Sequence, residues 1–409
     1  MINRWMYIDF NSYFASVEQQ LRPELRGKPI AVVPVESDST SAIAASYEAK
    51  AFGVKTGTPI WEAKKLCPNL ICVLAGHEAY VEFHEKIIEE INRHVPVAKI
   101  CSIDEMACSL MDNESAHAEG LAKKIKEGLR KNIGECMTCS IGIAPNKYLA
   151  KVATDMKKPN GLIFLNQEDL PQKLYPLKLR DLPGIGANME VRLNRHGIRD
   201  MKTLCALDLT QLRRAWGSVE GERMWHHLRG IELPDRETKR RTLGHSHVLA
   251  PELRNPEKAS SVGKRLATKA AARLRRMGLS ASQMSLTIRL EEEARFELSL
   301  RCEPANDSFT FLDLFNEMWK LLISKTGPAR IKKISIVFSD LQDQDSQQQE
   351  FFTDRSREKE EKASRVLDSI NQKYGRDSVS LGILPQQGKN FSNTKIAFTR
   401  IPDKEEFLE

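Results

Sequence analysis

No apolar run in this 409-residue chain approaches the roughly 18 residues needed to cross a bilayer as a helix. No basic-then-apolar leader precedes the first predicted strand, and the eight cysteines are scattered. Cys136 and Cys139 form a CxxC, yet no second pair stands at zinc-site spacing. Both border or enter the apolar run from Met137 to Ile143, so they read as buried strand thiols. A disulfide framework, a zinc ribbon and a membrane partner therefore find no support, and reduced thiols in a cytoplasmic protein are expected. A strong charge of either sign is also lacking. Lys plus Arg number 62 against 55 Asp plus Glu, a net +7, which permits a polyanionic partner without demanding one. The length leaves room for roughly two to four domains.

Two adjacent carboxylates, Asp104 and Glu105, interrupt the stretch Lys99 to Leu110, which otherwise alternates apolar and small residues like two short strands. A strand pair bent there holds both acids on stiff backbone at a sheet end. Another acid, Asp9, ends the predicted strand that opens the chain at Trp5. An isolated Asp-Glu pair is ordinarily a solvated turn. Strand-end acids from two parts of the chain instead predict that Asp9, Asp104 and Glu105 converge on one metal site, because a hard cation such as Mg2+ needs oxygen ligands in near-octahedral geometry.

After Asp9 the pattern turns helical, with Tyr13, Phe14 and Val17 on one face. Residues 28–34 read as a strand bounded by prolines, and 42–51 as a helix ending at Phe52-Gly53. Tyr47 and Lys50 share a face of it, either reaching one phosphate group together or both solvated. Tyr80, Phe83, Ile87 and Ile91 mark a core-packing helix, and Leu121, Ile125 and Leu129 another. Residues 138–144 read as a strand, with Pro145 at the start of the next helix. That helix stops at Lys157-Lys158-Pro159-Asn160-Gly161. Strands alternating with helices over the first ~165 residues predict a mixed α/β sheet with helices packed on it.

Leu182-Pro183-Gly184-Ile185-Gly186 sits between predicted helices at 174–179 and 189–196, the second running out into Gly197-Ile198. This is the helix-hairpin-helix pattern, whose turn offers backbone N–H groups to phosphate oxygens without reading bases; the alternative is an ordinary helical hairpin. Residues 236–276 hold twelve basic and three acidic side chains, net +9, more than the charge of the whole chain. Arg236 to Arg241 reads as an exposed linker. Residues 257–277 read as a helix that buries Val262, Leu266, Ala270 and Leu274 under a basic outer face. A basic helix alone is often only solvated; linker and helix together point to nucleic-acid backbone. From about Leu243 the elements follow the order β-α-β-β-α-β. The tail from Gln342 begins too hydrophilic to fold alone. Its Phe351-Phe352 pair either anchors in a partner's groove or packs on the preceding domain. Residues 362–374 read as helical.

Six stretches in order resemble the Y-family translesion DNA polymerases. They are Asp9 to Glu18, Tyr47 to Lys50 with Phe52-Gly53-Val54, Ser102 to Glu105, Ser140 to Lys147, Lys158 to Gly161, and Leu182 to Gly186. The resemblance implies an α/β multidomain, right-hand polymerase. Its parts would be a mixed-sheet palm (1–27 and 76–166), small fingers (28–75), a helix-hairpin-helix thumb (167–233), a basic linker (234–243), a β-α-β-β-α-β little finger (244–341) and a C-terminal tail (342–409). It also implies low-fidelity, template-directed synthesis from dNTPs on primer-template DNA in damage tolerance and the SOS response. No further acid constellation suggests proofreading. Two Mg2+ ions would be held by Asp9, Asp104, Glu105 and the Phe10 carbonyl. Phe14 matches the steric gate that collides with a ribose 2′-hydroxyl, and Tyr47, Lys50 and Lys158 match triphosphate contacts. Gly184, Gly186, Arg240, Arg241, Lys264 and Arg265 are the expected DNA contacts.

Gln348, Phe351 and Phe352 resemble the pentapeptide that holds the bacterial sliding clamp, although Gln349 and Phe351 replace its leucines. Lys50 stands where arginine is usual, which exchanges a bidentate grip for a point charge. Asn11 stands where aspartate is frequent, and the polymerase IV and V branches both stay open. The rival expectation is a non-catalytic DNA-bound adaptor on the same fold that recruits a working polymerase; the intact acids argue against it. A nucleotide cyclase on a similar palm would leave the hairpin and the basic linker unexplained.

Overall fold

The computed structural model describes residues 3–236, 240–344, 355–375, 378–381 and 401. Gln348, Phe351 and Phe352 lie outside the described residues. The chain divides into two units, one of 1–235 with 389–407, the other of 236–388 with 408–409.

The first unit runs β1 (Trp5–Phe10), α1 (Tyr13–Leu21), β2 (Ile30–Val33), β3 (Ala44–Ala45), α2 (Tyr47–Ala51), α3 (Ile60–Leu66), β4 (Ile71–Leu74), α4 (His77–Asn92), β5 (Val97–Ile100) and β6 (Glu105–Ser109). It continues through α5 (Asp112–Ala116), α6 (Ala118–Asn132), β7 (Cys139–Ala144), α7 (Lys147–Met156), β8 (Leu162–Phe164), α8 (Ala187–Arg195), α9 (Met201–Ala206), α10 (Leu209–Trp216) and α11 (Val219–His227). A five-stranded sheet has the order β5-β6-β1-β7-β8, and a three-stranded sheet the order β3-β2-β4.

Both faces of the larger sheet are covered, so β1 and β7 are almost wholly buried. The two-residue period divides β1 between two cores. Met6, Ile8 and Phe10 pack with Ile87 and Ile91 of α4 and Ile125 and Leu129 of α6. Tyr7 packs with Leu149 to Ala153 of α7 and with the helices that follow. Asp9 shares the parity of Tyr7, which turns it toward α7.

Three expectations are corrected. The helix placed at 42–51 begins only at Tyr47. Ala44 and Ala45 pair with Val32 and Ala31, and the Ser46 hydroxyl caps the short helix by accepting from the Ala49 N–H. Pro145 lies before α7, whose cap is Asn146, accepting from the Leu149 N–H. The helix expected at 174–179 is absent: two 3-10 turns, Gln172–Leu174 and Leu179–Asp181, flank Pro176, which has no N–H to continue a helix. The glycine-bracketed turn survives, with Gly184 at φ +91° and Gly186 capping α8.

The second unit runs β9 (Thr242–Val248), α12 (Pro256–Arg276), β10 (Leu279–Leu290), β11 (Arg295–Ala305), α13 (Ser308–Thr326), β12 (Ile331–Asp343) and α14 (Arg355–Tyr374). Its antiparallel sheet has the order β11-β10-β12-β9, the expected β-α-β-β-α-β arrangement. Arg240 and Arg241 are exposed ahead of β9, and Lys264 and Arg265 are half-buried on α12.

The tail helix α14 is tied to this unit. The buried guanidinium of Arg275 grips Asp368 through two hydrogen bonds, 2.7 and 2.8 Å, and also donates to the Asn306 carbonyl at 2.6 Å. The fully buried Ser364 hydroxyl accepts from the Ser308 N–H at 3.0 Å. An Arg275→Met substitution should loosen α14 by about 1.5–3 kcal/mol, the worth of hydrogen bonds to a charged group. Hydrogen exchange across residues 359–374 should then quicken while β10 and β12 stay protected.

Candidate active site

The hydrogen-bond register sets Asp9 directly opposite Glu105 across β1 and β6, and opposite Ser140 across β1 and β7. A tight hairpin joins β5 to β6, in which the Cys101 and Ser102 N–H groups both donate to the Glu105 carbonyl. Asp104 sits in that hairpin, and its carbonyl accepts from the Phe10 N–H at 2.9 Å. Backbone pairing thus seats all three acids at neighbouring strand ends, as their spacing predicts.

The side chains part company. Lys151, on α7, places its ammonium on the Asp9 carboxylate, 2.7 Å from Glu105 and 3.4 Å from Asp155. Lys158 reaches Asp9 at 2.9 Å and Asp155 at 2.8 Å. Tyr7 donates to Glu105 at 2.9 Å. Asp104 instead accepts from the Ser102 hydroxyl at 2.5 Å. Two of the expected metal acids therefore share a cation and the third is turned to a hydroxyl; among the described residues no three His, Cys, Asp or Glu side chains form a ready metal cluster.

Electrostatics still couples the three carboxylates. Burial raises the Asp104 carboxyl above the usual carboxylate range, and the charges of Asp9 and Glu105 add to that rise against the Ser102 hydrogen bond. Burial opposes the charge of Lys151, but Asp9, Glu105 and Asp155 outweigh it and hold the ammonium protonated far above its usual range. An oxygen-only donor set whose members repel one another and already attract two ammonium groups suits a hard divalent cation.

The expected nucleotide contacts gather beside these acids. Ser12 adopts a left-handed backbone, φ +51°, which turns the chain abruptly from β1 into α1 and sets Phe14 in the first turn of that helix. The Phe14 ring is half-buried and stacked on Tyr80 at 4.4 Å between centroids; the Tyr80 hydroxyl is fixed by Glu18 at 2.6 Å. Lys50 donates to the Ser12 hydroxyl at 2.6 Å and lies over the Tyr47 ring. Burial and then the nearby Lys158 charge lower the Lys50 pKa, so two ammonium groups approach one place. Tyr47 and Ser140 both donate to the Asn11 amide oxygen, at 3.5 and 3.1 Å.

Lys151, Asp155, Ser102 and Tyr7 were not singled out from sequence. The spacing of Lys147, Lys151 and Asp155, four apart on a helix that leaves a strand beside the Asp9 strand, carried the signal. Gly184 and Gly186 lie on the turn before α8. A Cβ at either would meet no atom within 4 Å, which leaves the turn open to a close-approaching ligand.

Comparison with known proteins identifies the family. The impB/mucB/samB family model matches residues 8–155, its C-terminal domain matches 240–351, and the DNA polymerase-iota thumb domain matches 180–232. DNA polymerase IV 1 of Bacillus subtilis is 31% identical over 384 residues, covering 92% of this chain and 92% of the relative. DNA polymerase IV of Moorella thermoacetica is 34% identical over 289 residues, covering 69% and 72%. Among solved structures, a Y-family DNA polymerase chimera aligns with a TM-score of 0.70 at 23% identity, over 84% of this chain and all of the other, and shows the fold. The shared length and the matched modules place this chain in the Y-family of translesion DNA polymerases.

Proposed function

We propose that the protein extends a DNA primer along a template, transferring a nucleotidyl group from a dNTP to the primer 3′-hydroxyl at the site of Asp9, Asp104 and Glu105. The observation that carries this reading is the register of Asp9 against Glu105, with Lys158 on the Asp9 carboxylate and Lys50 over the Tyr47 ring. Two Mg2+ ions would be held by Asp9, Asp104, Glu105 and the Phe10 carbonyl; bound, they supply acidity to the primer hydroxyl and positive charge to the triphosphate. The chain's own groups do the rest. Lys158 and Lys50 offer point charges to phosphate oxygens, and Tyr47 offers a phenol whose proton burial secures.

On this reading the larger sheet with its helices is the palm, the three-stranded sheet the fingers, the segment matched at 180–232 the thumb, and the second unit's sheet and helices the little finger. Gly184 and Gly186 would face phosphates on the duplex, and Arg240, Arg241, Lys264 and Arg265 would add sequence-independent attraction to its backbone. Cytoplasmic residence fits a partner of this kind. A sliding clamp as the partner of Gln348, Phe351 and Phe352 rests on sequence alone.

Primer extension by the purified full chain with Mg2+ and dNTPs, on intact and abasic templates, tests the proposal. Extension past the abasic position supports translesion synthesis. Tight binding of primer-template with no nucleotide added, even with a sliding clamp present, would instead favour the adaptor reading. Phe14→Ala provides a second test. Removing the ring backed by Tyr80 opens the space a 2′-hydroxyl would need, so incorporation of rNTP relative to dNTP should rise roughly a hundredfold, the scale on which a pocket rejects one extra group. An unchanged ratio would take the gate away from Phe14.

A further inference from the structure

Lys126 lies on α6, and its ammonium is committed to one turn of chain. It donates to the Asn160 carbonyl at 2.8 Å, the Asn160 side-chain oxygen at 3.0 Å and the Gly161 carbonyl at 2.8 Å. Three acceptors match the three N–H groups of an ammonium, so the group is saturated by neutral oxygens of two consecutive residues. Charge-assisted bonds of this kind are the stronger class.

The turn so held is the one that follows Lys158. It is a demanding piece of backbone. Asn160 is left-handed, φ +54°, and the Lys157 carbonyl occupies the place where a Cβ on Gly161 would stand. The Gly161 N–H donates to Ser140 at 3.2 Å, and the Gly161 carbonyl accepts from Ile141 at 3.0 Å. Ser140 in turn donates to Asn11, the residue on which Tyr47 closes. Lys158, two residues upstream of Asn160, is thereby aimed at Asp9 and Asp155.

We infer that Lys126 is a positioning residue, which clamps the 158–161 turn from behind so that Lys158 points into the nucleotide site. The inference rests on the reading of Lys158 as a phosphate contact, and the experiment separates the two. Without the ammonium, the Asn160 carbonyl and side-chain oxygen must turn to water, the left-handed residue loses its outer support, and Lys158 samples directions away from Asp9. A lysine acting through geometry alone changes how well the nucleotide is held and leaves the chemical step nearly untouched.

The test is a double-mutant cycle of Lys126→Met and Lys158→Ala in the full chain, read by steady-state dNTP incorporation and by equilibrium binding of a non-hydrolysable dNTP to the enzyme on primer-template. Lys126→Met should raise KM and the analogue's Kd about tenfold with kcat within about twofold, the loss expected of charge-assisted hydrogen bonds. Lys126→Arg, which keeps the donors, should recover most of the loss. In the Lys158→Ala background Lys126→Met should add almost nothing. Additive effects, or a Lys126→Met variant with unchanged KM and Kd, would overturn the inference even where Lys158→Ala alone weakens nucleotide binding. A Lys158→Ala variant that binds the analogue normally would overturn the underlying reading of Lys158. Should Lys126→Met lower the melting midpoint, the cycle still decides, because a purely structural defect would persist in the Lys158→Ala background.

Discussion

Primer extension by an Asp104→Ala, Glu105→Ala variant should fall by about four orders of magnitude, about 5.5 kcal/mol of barrier, while binding to primer-template changes little. The fall follows from the donor set. Asp9 alone remains, and two ammonium groups already claim it. Binding persists because the residues expected to touch DNA are elsewhere, on the turn before α8 and in the second unit. The single variant Asp104→Asn separates chemistry from stability. Asp104 is held with a raised pKa by burial and by two like charges, so the folded state binds its proton more tightly than the unfolded chain does. Its ionised form therefore opposes folding at neutral pH, and stability falls as pH rises from the ordinary carboxylate range through the raised value. Asparagine removes the charge, so this variant should lose extension yet melt higher than wild type at pH 7. The gain should shrink in acid, where Asp104 is itself neutral. A lower melting midpoint at pH 7 would show that Asp104 supports the fold rather than straining it, the reverse of the usual stability cost of a reactive site.

What was legible from sequence was what period and strand-end position encode. The alternation that ends at Asp9 and restarts at Glu105 marks two strands, and antiparallel pairing then leaves the acids as neighbours. The helical spacing of Tyr80, Ile87 and Ile91, and the β-α-β-β-α-β order of the second unit, follow from the same reasoning. What was not legible depends on tertiary placement. Lys151 stands among Leu149, Ala150, Val152 and Ala153, where a lone lysine reads as the solvated edge of a packed helix; only the seating of α7 beside β1 brings it onto Asp9. The turning of Asp104 to Ser102 is a choice of rotamer within a hairpin, which no periodicity records. Alanine misled at 42–51, because its high helix propensity is overridden where Ala44 and Ala45 complete a sheet edge. At 174–179 Pro176 stands between Leu174 and Leu179, and the backbone obeys the proline.

The close seating of α7 on the sheet depends on a glycine. Gly142, in the middle of β7, has no room for a Cβ. The added carbon would run into the Ala150 carbonyl oxygen and come within 2.7 Å of the Thr154 N–H nitrogen and 2.8 Å of the Ala153 methyl. Two of these are backbone atoms of α7, so no side chain can rotate away and the helix itself must lift. Gly142→Ala should therefore destabilise the first unit by about 3 kcal/mol or more, the upper range for overpacking. For a unit of this size the melting midpoint should drop by about 6–12 °C. Gly120→Ala provides the contrast, because a Cβ at that position on α6 meets nothing within 4 Å. Replacing a helical glycine there should leave stability unchanged or raise it by up to about 1 kcal/mol. The functional consequence of Gly142→Ala exceeds the stability loss. α7 carries Lys151 and Asp155 and leads directly into Lys158, so lifting it withdraws three charged groups from Asp9 and Glu105 together. At a temperature where the variant is still folded, dNTP incorporation should fall by well over the tenfold expected for loss of one contact. Leu193, Leu204 and Leu212 of the helices that follow share one apolar cluster with Leu149, Val152 and Ala153 of α7, so DNA binding through that segment should weaken as well. A variant with an unshifted midpoint and normal incorporation would mean that α7 tolerates displacement, and that the charges on it are not aligned by the sheet beneath.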